Sequence, residues 1–177
     1  MAKVDVNNTK TENLVNPLGL DTTVPRFSWQ ITSDQNDVVQ TAYEILVASS
    51  IDKLNTGDGD LWNSGKIKSS EQLWIAYNGK QLKSNQRGYW KVRAYTNKGL
   101  TEWSKPQEFG IGLLKESHWS GRWIGLERLM EGEQKGLHTR LAARYLRKEF
   151  ELKDMQVVRA TAHVSGLGLY ELFINGK

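Results

Sequence analysis

The chain has 177 residues, carries 24 Lys and Arg against 20 Asp and Glu, and contains no cysteine. This length suffices for one large domain or two small ones without cross-links, and the lack of cysteine excludes disulfides, thiolate catalysis and cysteine-ligated zinc. A net charge of +4 with acids spread among the bases argues against nucleic acid as a partner. No stretch approaches the roughly 18 apolar residues of a membrane span, so we expect no membrane partner either.

The opening residues, MAKVDVNNTK, lack the apolar centre of a signal peptide. The sequence therefore predicts a soluble chain. Its compartment stays open between the cytoplasm and, after export, the periplasm or exterior, because a removed signal peptide would leave no trace.

Short runs in which aromatic and β-branched residues alternate with polar ones predict β-strands from one end of the chain to the other. The clearest runs cover residues 27–31, 43–47, 73–77 and 90–94. Turn signals follow several of them, at Thr56-Gly57-Asp58-Gly59, Asn78-Gly79 and Asn97-Lys98-Gly99. One apolar face on each run is typical of the two sheets of a β-sandwich. The sequence predicts an all-β fold.

The pattern changes at GIGLLKESH, and a new aromatic cluster, HWSGRWIG, follows. We therefore expect a domain boundary near Leu114, with one sandwich over residues 1–114 and a second β domain beginning in residues 115–177. In the second part, residues 126–136 predict a long loop, and 143–152 and 157–174 predict strands. The chain closes on Asn175-Gly176, the pair that favours a type I′ turn.

A basic stretch over residues 135–148, KGLHTRLAARYLRK, contains no acid. It is compatible with an amphipathic helix for a membrane or nucleic acid. A loop that leads into a strand is the favoured interpretation, because short apolar runs are ambiguous between the two periods.

The residue types that carry chemistry do not converge in the sequence. His118, His138 and His163 lack zinc-ligand spacing. Asp58 and Asp60 favour a solvated turn over a calcium loop, since the distal glutamate of such a loop is missing. We expect Glu171 to form a structural ion pair with Arg147 or Arg159. No catalytic, cofactor-binding or metal-ligating residue, and no cofactor, is predicted.

Tryptophan is abundant, with seven residues. Trp29 and Trp90 lie on the apolar faces of their runs and are predicted to face each other in the first core. Trp74 points away from the apolar side of 73–77, and Trp62 is intermediate. Because sugars stack on exposed indole rings, Trp74 and Trp62 are the candidate carbohydrate contacts.

Seven stretches stand out in chain order. They are NPLGLDTTVPRFSWQI, QTAYEILVASS, DLWNSGKI, YWKVRAYTNKG with the EWS and phenylalanine after it, HWSGRWIG, LRKEFEL and RATAHVSGLGLYELFINGK. No single stretch is diagnostic, but together they cover nearly the whole chain. In this order they resemble the N-terminal portion of bacterial α-L-rhamnosidases of glycoside hydrolase family 78.

This resemblance implies a fibronectin-III-like (immunoglobulin-like) sandwich followed by the first strands of a jelly-roll-like β-sandwich. In such enzymes a later helical barrel carries the two carboxylates of an inverting mechanism. None of that barrel is present in these residues, so the resemblance implies a non-catalytic scaffolding fragment of a rhamnosidase. The partner of the parent enzyme would be a rhamnose-containing glycan, and the uncovered strand over 169–174 predicts self-association. The alternative is a glycan- or protein-binding module without enzymatic activity.

The sequence departs from the fibronectin-like pattern at one corner. A tyrosine normally ties this corner to the backbone, and the position that it would take, counted from Leu82, is Gly88. Tyr89 follows one residue later and would face the opposite side. The corner must be held in another way, or Tyr89 must bulge into place.

Overall fold

The computed structural model describes residues 4–126, 128–134, 136, 142–153 and 156–177. It divides into two compact units, Met1–Gly121 and Arg122–Lys177. The boundary that the sequence predicts near Leu114 stays a prediction.

The first unit is built from short antiparallel strands. In chain order its elements are β1 (Val4–Thr11), β2 (Arg26–Ser33), β3 (Gln40–Ala48), α1 (Ile51–Thr56), β4 (Trp62–Asn63), β5 (Ile75–Ala76), β6 (Arg87–Thr96), β7 (Gly99–Leu100), β8 (Gln107–Gly110) and a 3₁₀ turn (Glu116–His118). The helix α1 has six residues, and no helix in the described part of the chain could cross a membrane.

The strands form two sheets. One has the order β1-β2-β5, and the other has the order β4-β3-β6-β7 with β8 also paired to β6. All these pairs are antiparallel; for example, Val6 lies opposite Ile31 and Ile45 lies opposite Val92. The all-β, immunoglobulin-like fold predicted for this part of the chain is confirmed.

The core lies between the two sheets and follows the predicted alternation. Trp29 and Trp90 are almost fully buried, as expected from their runs. Phe27 lies between the sheets with its ring centroid 4.4 Å from that of Trp90. Because each large ring removes well over 100 Å² of surface from water, these aromatic residues dominate the hydrophobic stabilisation of the sandwich.

Both core indoles have partners for their N–H groups. Trp90 Nε1 donates to Thr11 Oγ1 at 3.0 Å, and Trp29 Nε1 donates to Gln40 Oε1 at 3.0 Å. The amide nitrogen of the buried Gln40 in turn donates to the carbonyls of Ser69 and Glu71. This network fixes the segment that leads to Trp74.

The stretch NPLGL runs beside β8. The amide of Glu108 donates to Asn16 Oδ1, the amide of Gly110 donates to the Pro17 carbonyl at 2.8 Å, and Leu20 forms a parallel bridge with Ile111. A covered strand cannot pair with another molecule. The first loop of the domain therefore protects one edge of the larger sheet.

The corner without a tyrosine is held by main-chain bonds. The amide of Asn85 donates to the Gly112 carbonyl, the amide of Ile111 donates to the Gln86 carbonyl, and Leu82 is buried beneath them. Tyr89 stays in regular register opposite Ala48. Of the two alternatives that the sequence allows, the corner is held without a bulge at Tyr89.

Three features of this unit depart from the sequence analysis. Strand β1 and helix α1 were not predicted, and of the predicted strand 73–77 only Ile75–Ala76 forms. The helix has a readable signal: Ser50 caps it by accepting from the amide of Lys53, and Gly57 ends it with a φ of +82°. The strand is short because the backbone departs from extended geometry at Trp74.

The second unit has no helix or strand among its described residues, so the strands predicted at 143–152 and 157–174 are not paired there. A strand needs a partner for its backbone groups, and the second sandwich stays a prediction. Much of the basic stretch 135–148 lies outside the described residues, and its described part, 142–148, is not helical. The predicted turn does form: Asn175 and Gly176 have positive φ, and Ile174 and Lys177 exchange two backbone bonds.

Candidate functional site

The two tryptophans predicted to contact carbohydrate lie in different environments. Trp62, on β4, is only 9% exposed, and its ring packs against Phe27 and Tyr77 with centroid distances of 6.4 and 5.5 Å. It belongs to the core. Trp74 is 44% exposed and lies just before β5. Of the two, only Trp74 presents a broad ring surface to a ligand.

A β-bulge positions Trp74. Phe27 pairs with Ile75, but the amide of Trp29 donates to the carbonyl of Gln72 at 3.0 Å. If the register of Phe27 and Ile75 continued unchanged, residue 73 would lie opposite Trp29. Because Gln72 takes that place, residues 73 and 74 together lie opposite one residue of β2, Ser28. Bulges of this kind redirect side chains and are frequent beside functional sites.

The backbone of Trp74 is strained. Its φ is +60°, in the left-handed region that bulky residues rarely adopt, at a cost of about 1–2 kcal/mol. The amide of Trp74 donates to Oγ of the buried Ser28 at 3.1 Å, which helps to hold this conformation. The extra residue leaves Leu73 exposed beside Trp74.

Arg26, on β2, covers one face of the Trp74 ring. Its guanidinium carbon lies 4.1 Å from the ring centroid, a distance typical of a cation–π contact. Glu12 fixes this guanidinium: Arg26 Nη2 donates to Glu12 Oε2 at 2.7 Å, and Arg26 Nε donates to Glu12 Oε1 at 3.1 Å. The bonds from Arg26, against a smaller effect of burial, lower the pKa of Glu12. The carboxylate is therefore charged at neutral pH.

Glu12 is itself held by a tight turn. Thr11 and Leu14 exchange two backbone bonds of 2.9 Å, and the two residues between them, Glu12 and Asn13, have φ of +50° and +62°. These are the features of a type I′ turn, for which glutamate is an unusual choice. The main chain of Arg26 also donates to Glu12 Oε1 at 2.8 Å. We call Glu12, Arg26 and Trp74 the Trp74 cluster.

The Trp74 cluster has hydrogen-bond donors that a ligand could use. Within the described part of the chain, Nε1 of Trp74 and Nη1 of Arg26 donate to no other residue. The cluster thus combines the partly exposed indole ring of Trp74 with two N–H donors that are unpaired among the described residues, one on Trp74 and one on Arg26. Such a set suits a ligand with a flat apolar face bordered by hydroxyl groups.

Comparison with known proteins identifies the family. Residues 6–115 match the family model described as Rha78A-like, N-terminal immunoglobulin domain. The chain belongs to this family. The Trp74 cluster lies inside the matched residues.

The similarity to known proteins extends beyond the Rha78A-like domain. The chain is 38% identical over 177 residues to an alpha-L-rhamnosidase of Formosa agariphila, covering 92% of this chain and 18% of the relative. It is 31% identical to an alpha-L-rhamnosidase of Streptomyces avermitilis, covering 99% of this chain and 18% of that protein. The chain therefore spans less than a fifth of the length of these curated relatives.

Two solved structures share the fold. One is the Streptomyces avermitilis alpha-L-rhamnosidase complexed with L-rhamnose, with a TM-score of 0.65 and 37% identity over 69% of this chain and 12% of that chain. The other is the alpha-L-rhamnosidase from Dictyoglumus thermophilum, with a TM-score of 0.65 and 38% identity over 68% of this chain and 14% of that chain.

Sequence reasoning found Trp74 but missed its two partners in the Rha78A-like domain. Arg26 and Glu12 are separated by a turn and a long loop, and their pairing depends on the main-chain path. No local motif signals this contact. Two successive non-glycine residues with positive φ at Glu12-Asn13 are also not readable from the sequence, because Asn-Gly is the usual signal for such a turn.

Among the described residues, the other candidate groups do not form a reactive site. Asp60 accepts bonds from Ser49 and from Lys53 Nζ, which lies 2.7 Å away, and so closes a turn. His118 Nδ1 lies 2.5 Å from Ser84 Oγ, which also accepts the amide of Leu114. No group of three or more potential metal ligands occurs in the described ranges.

The predictions for His138 and for the ion pair of Glu171 are only partly covered by the described residues. His138 lies outside the described residues. Arg147, one of the two predicted partners of Glu171, instead contacts Glu149. The pairing of Glu171 with Arg159 stays a prediction.

Proposed function

We propose that this chain is the N-terminal part of an α-L-rhamnosidase, in which the immunoglobulin domain is a scaffold and takes no part in the chemical step. One observation carries the proposal: nearly the whole chain aligns with proteins named alpha-L-rhamnosidase, yet it spans only 18% of their length. The parent protein would act on rhamnose-containing glycans, and its catalytic groups would lie in other residues.

The charge states of the carboxylates support a non-catalytic role. A glycosidase acid must have a raised pKa so that it holds a proton at neutral pH. In the described part of the chain, Glu12, Asp60 and Glu133 have a lowered pKa, and each is bonded to a basic side chain. For Asp60, burial opposes the shift and the bonds outweigh it. These groups are suited to structural ion pairs and not to proton donation.

The fold supports a scaffolding role as well. The sandwich buries Phe27, Trp29, Trp62, Trp90 and Phe109 in one core, and the indole N–H groups of Trp29 and Trp90 are bonded to Gln40 and Thr11. Such a domain is rigid. For the parent enzyme we propose the inverting two-carboxylate mechanism, in which one carboxylic acid protonates the leaving oxygen and one carboxylate activates water.

Hydrolysis of p-nitrophenyl α-L-rhamnopyranoside tests both halves of this proposal. We expect the 177-residue chain to release no nitrophenol above a no-enzyme control, and a longer protein from the same reading frame to release it. Nitrophenol release by the chain alone would contradict the scaffolding role. An inactive longer protein would contradict the assignment to rhamnosidases. For the inverting mechanism, NMR of the first product must show the β-anomer of rhamnose.

A further inference from the structure

The Trp74 cluster concentrates backbone strain at one exposed place on the immunoglobulin domain. Both Glu12 and Trp74 have φ near the left-handed region, at +50° and +60°. Strained non-glycine residues persist only where the surroundings over-determine them, and they are frequent at binding sites. Contacts with the buried Ser28 and Trp29 hold this geometry, but an exposed indole needs neither a bulge nor positive φ to be stable.

The cluster is rigid before any ligand arrives. Glu12 receives the main chain and the side chain of Arg26, and the guanidinium of Arg26 lies against the indole of Trp74. The main chain before Trp74 is fixed by the bond from Trp29 to Gln72, and the main chain after it is fixed by β5. A ligand would therefore immobilise few side chains on binding, which favours affinity.

The charges of the cluster cancel. Arg26 and Glu12 form an ion pair with a 2.7 Å contact, so the site presents no net charge to a ligand. One face of the Trp74 ring is covered by Arg26, and Trp74 as a whole residue is 44% exposed. Nε1 of Trp74 and Nη1 of Arg26 remain as donors within the described residues. These properties favour a neutral, hydroxyl-rich ligand over an anion or a metal ion.

We propose that the Trp74 cluster is a non-catalytic binding site for a neutral pyranose ring of a glycan chain. The apolar C–H face of the sugar stacks on the face of Trp74 that Arg26 leaves open. The indole N–H of Trp74 lies in the plane of the ring, so it donates to a hydroxyl group of the next sugar beside the indole edge. Leu73, which is 60% exposed beside Trp74, offers apolar contact to a neighbouring sugar. The site goes beyond the scaffolding role and does not depend on it.

The substitution Trp74→Gly tests this site without unfolding the protein. Glycine adopts positive φ without strain, and this gain offsets the greater freedom of glycine in the unfolded chain, so we expect this variant to melt within a few degrees of the parent. Trp119→Ala is the matched control, because Trp119 is 40% exposed and lies outside the cluster. The indole N–H signal that disappears in Trp74→Gly identifies Trp74 among the seven tryptophans in the NMR spectrum of the parent.

Each protein is titrated with a neutral rhamnose oligosaccharide, with cellohexaose and with xylohexaose. A single stacked ring binds weakly, so the sugars are followed to about 20 mM. We expect at least one of them to shift the Trp74 indole signal, Trp74→Gly to weaken binding at least about tenfold, and Trp119→Ala to leave it within about twofold.

Two results would overturn the proposal. One is the absence of any shift at Trp74 with all three sugars, and the other is unchanged affinity in Trp74→Gly. Both are measured on the chain by itself, so they are independent of rhamnoside hydrolysis by the longer protein.

Discussion

Gly88 lies directly under the ring of Phe109, so that a Cβ atom on Gly88 would lie 2.3 Å from Cζ of that ring. Phe109 is fully buried, with its centroid 5.9 Å from that of Phe27. The ring of Phe109 thus occupies the space beside the position where fibronectin-like domains have their corner tyrosine. A side chain at position 88 and the buried ring of Phe109 would compete for the same space, so glycine takes the position of the corner tyrosine.

We expect Gly88→Ala to lower the free energy of unfolding by about 3 kcal/mol, the upper part of the range for overpacked cores. The β-carbon cannot be accommodated unless Phe109 or the backbone of β6 moves. Urea denaturation measures the loss. Gly125→Ala is the control, because its β-carbon would meet nothing within 4 Å, and it should stay within about 0.5 kcal/mol of the parent. Equal stability of the two variants would contradict this account of the corner.

Gln40 links the two halves of a buried network, so we expect Gln40→Leu to destabilise the domain by about 2–4 kcal/mol. The substitution leaves Trp29 Nε1 and the carbonyls of Ser69 and Glu71 without their partner, and each unsatisfied buried group costs about 1–3 kcal/mol. The exposed Gln30 on β2 provides the control Gln30→Leu. Urea midpoints that are the same for both leucine variants would show that the network adds nothing.

The sequence predicted the core well and the candidate site only in part. Alternation placed Trp29 and Trp90 correctly, because burial on one face of a strand leaves a period of two in the sequence. Alternation also predicts the exposure of Trp74 correctly, but it implies a regular strand, whereas the structure has a bulge. Bulges and positive φ at non-glycine residues come from tertiary contacts, which leave no local pattern.

Asp60 should contribute to resistance to acid. Burial opposes ionisation of this carboxylate, but bonds from Lys53 and Ser49 outweigh it and lower the pKa of Asp60 to about 2. The unfolded chain has a pKa near 3.9. The folded-state pKa is the lower one, so the stabilisation is complete above about pH 4 and is lost as the pH falls towards 2. We expect about 1 kcal/mol, since the site is partly solvated.

The substitution Asp60→Asn tests this dependence. The variant should be less stable than the parent at pH 6, and the difference should shrink between pH 4 and pH 2. Asp58→Asn, two residues away on an exposed position, is the control. If the difference between parent and Asp60→Asn were constant from pH 6 to pH 2, the ion pair with Lys53 would not be its cause.

Tyr77 should make the domain sensitive to alkali. Its hydroxyl lies 2.7 Å from the Lys80 carbonyl and 3.1 Å from the Leu61 carbonyl. Burial, with a smaller effect of the Asp60 carboxylate, raises the pKa of Tyr77 to about 12. Since an unfolded tyrosine titrates near 10, the stabilisation is complete below pH 10 and is lost as the pH rises to about 12.

We expect Tyr77→Phe to be about 1 kcal/mol less stable than the parent at pH 8, because it loses the single hydroxyl proton that the two carbonyls share. Between pH 10 and pH 12 the stability of the variant should fall less steeply than that of the parent. Denaturant midpoints at several pH values measure both slopes, and parallel curves would assign the alkaline sensitivity to another group.

The last prediction concerns residues 169–174 in the second unit. Large apolar side chains of this segment are more than half exposed, namely Leu169, Tyr170, Leu172, Phe173 and Ile174. The type I′ turn after it is formed, but no strand pairs with the segment among the described residues. An extended apolar segment with unpaired N–H and C=O groups is a template for another strand.

We expect the chain to self-associate through this segment, or the amide groups of the segment to be poorly protected from exchange. Sedimentation and amide exchange decide between these outcomes, and Phe173→Lys should reduce any association by adding charge to the pairing face. A monodisperse monomer in which 169–174 exchanges as slowly as the buried strand residues 90–94 would contradict both.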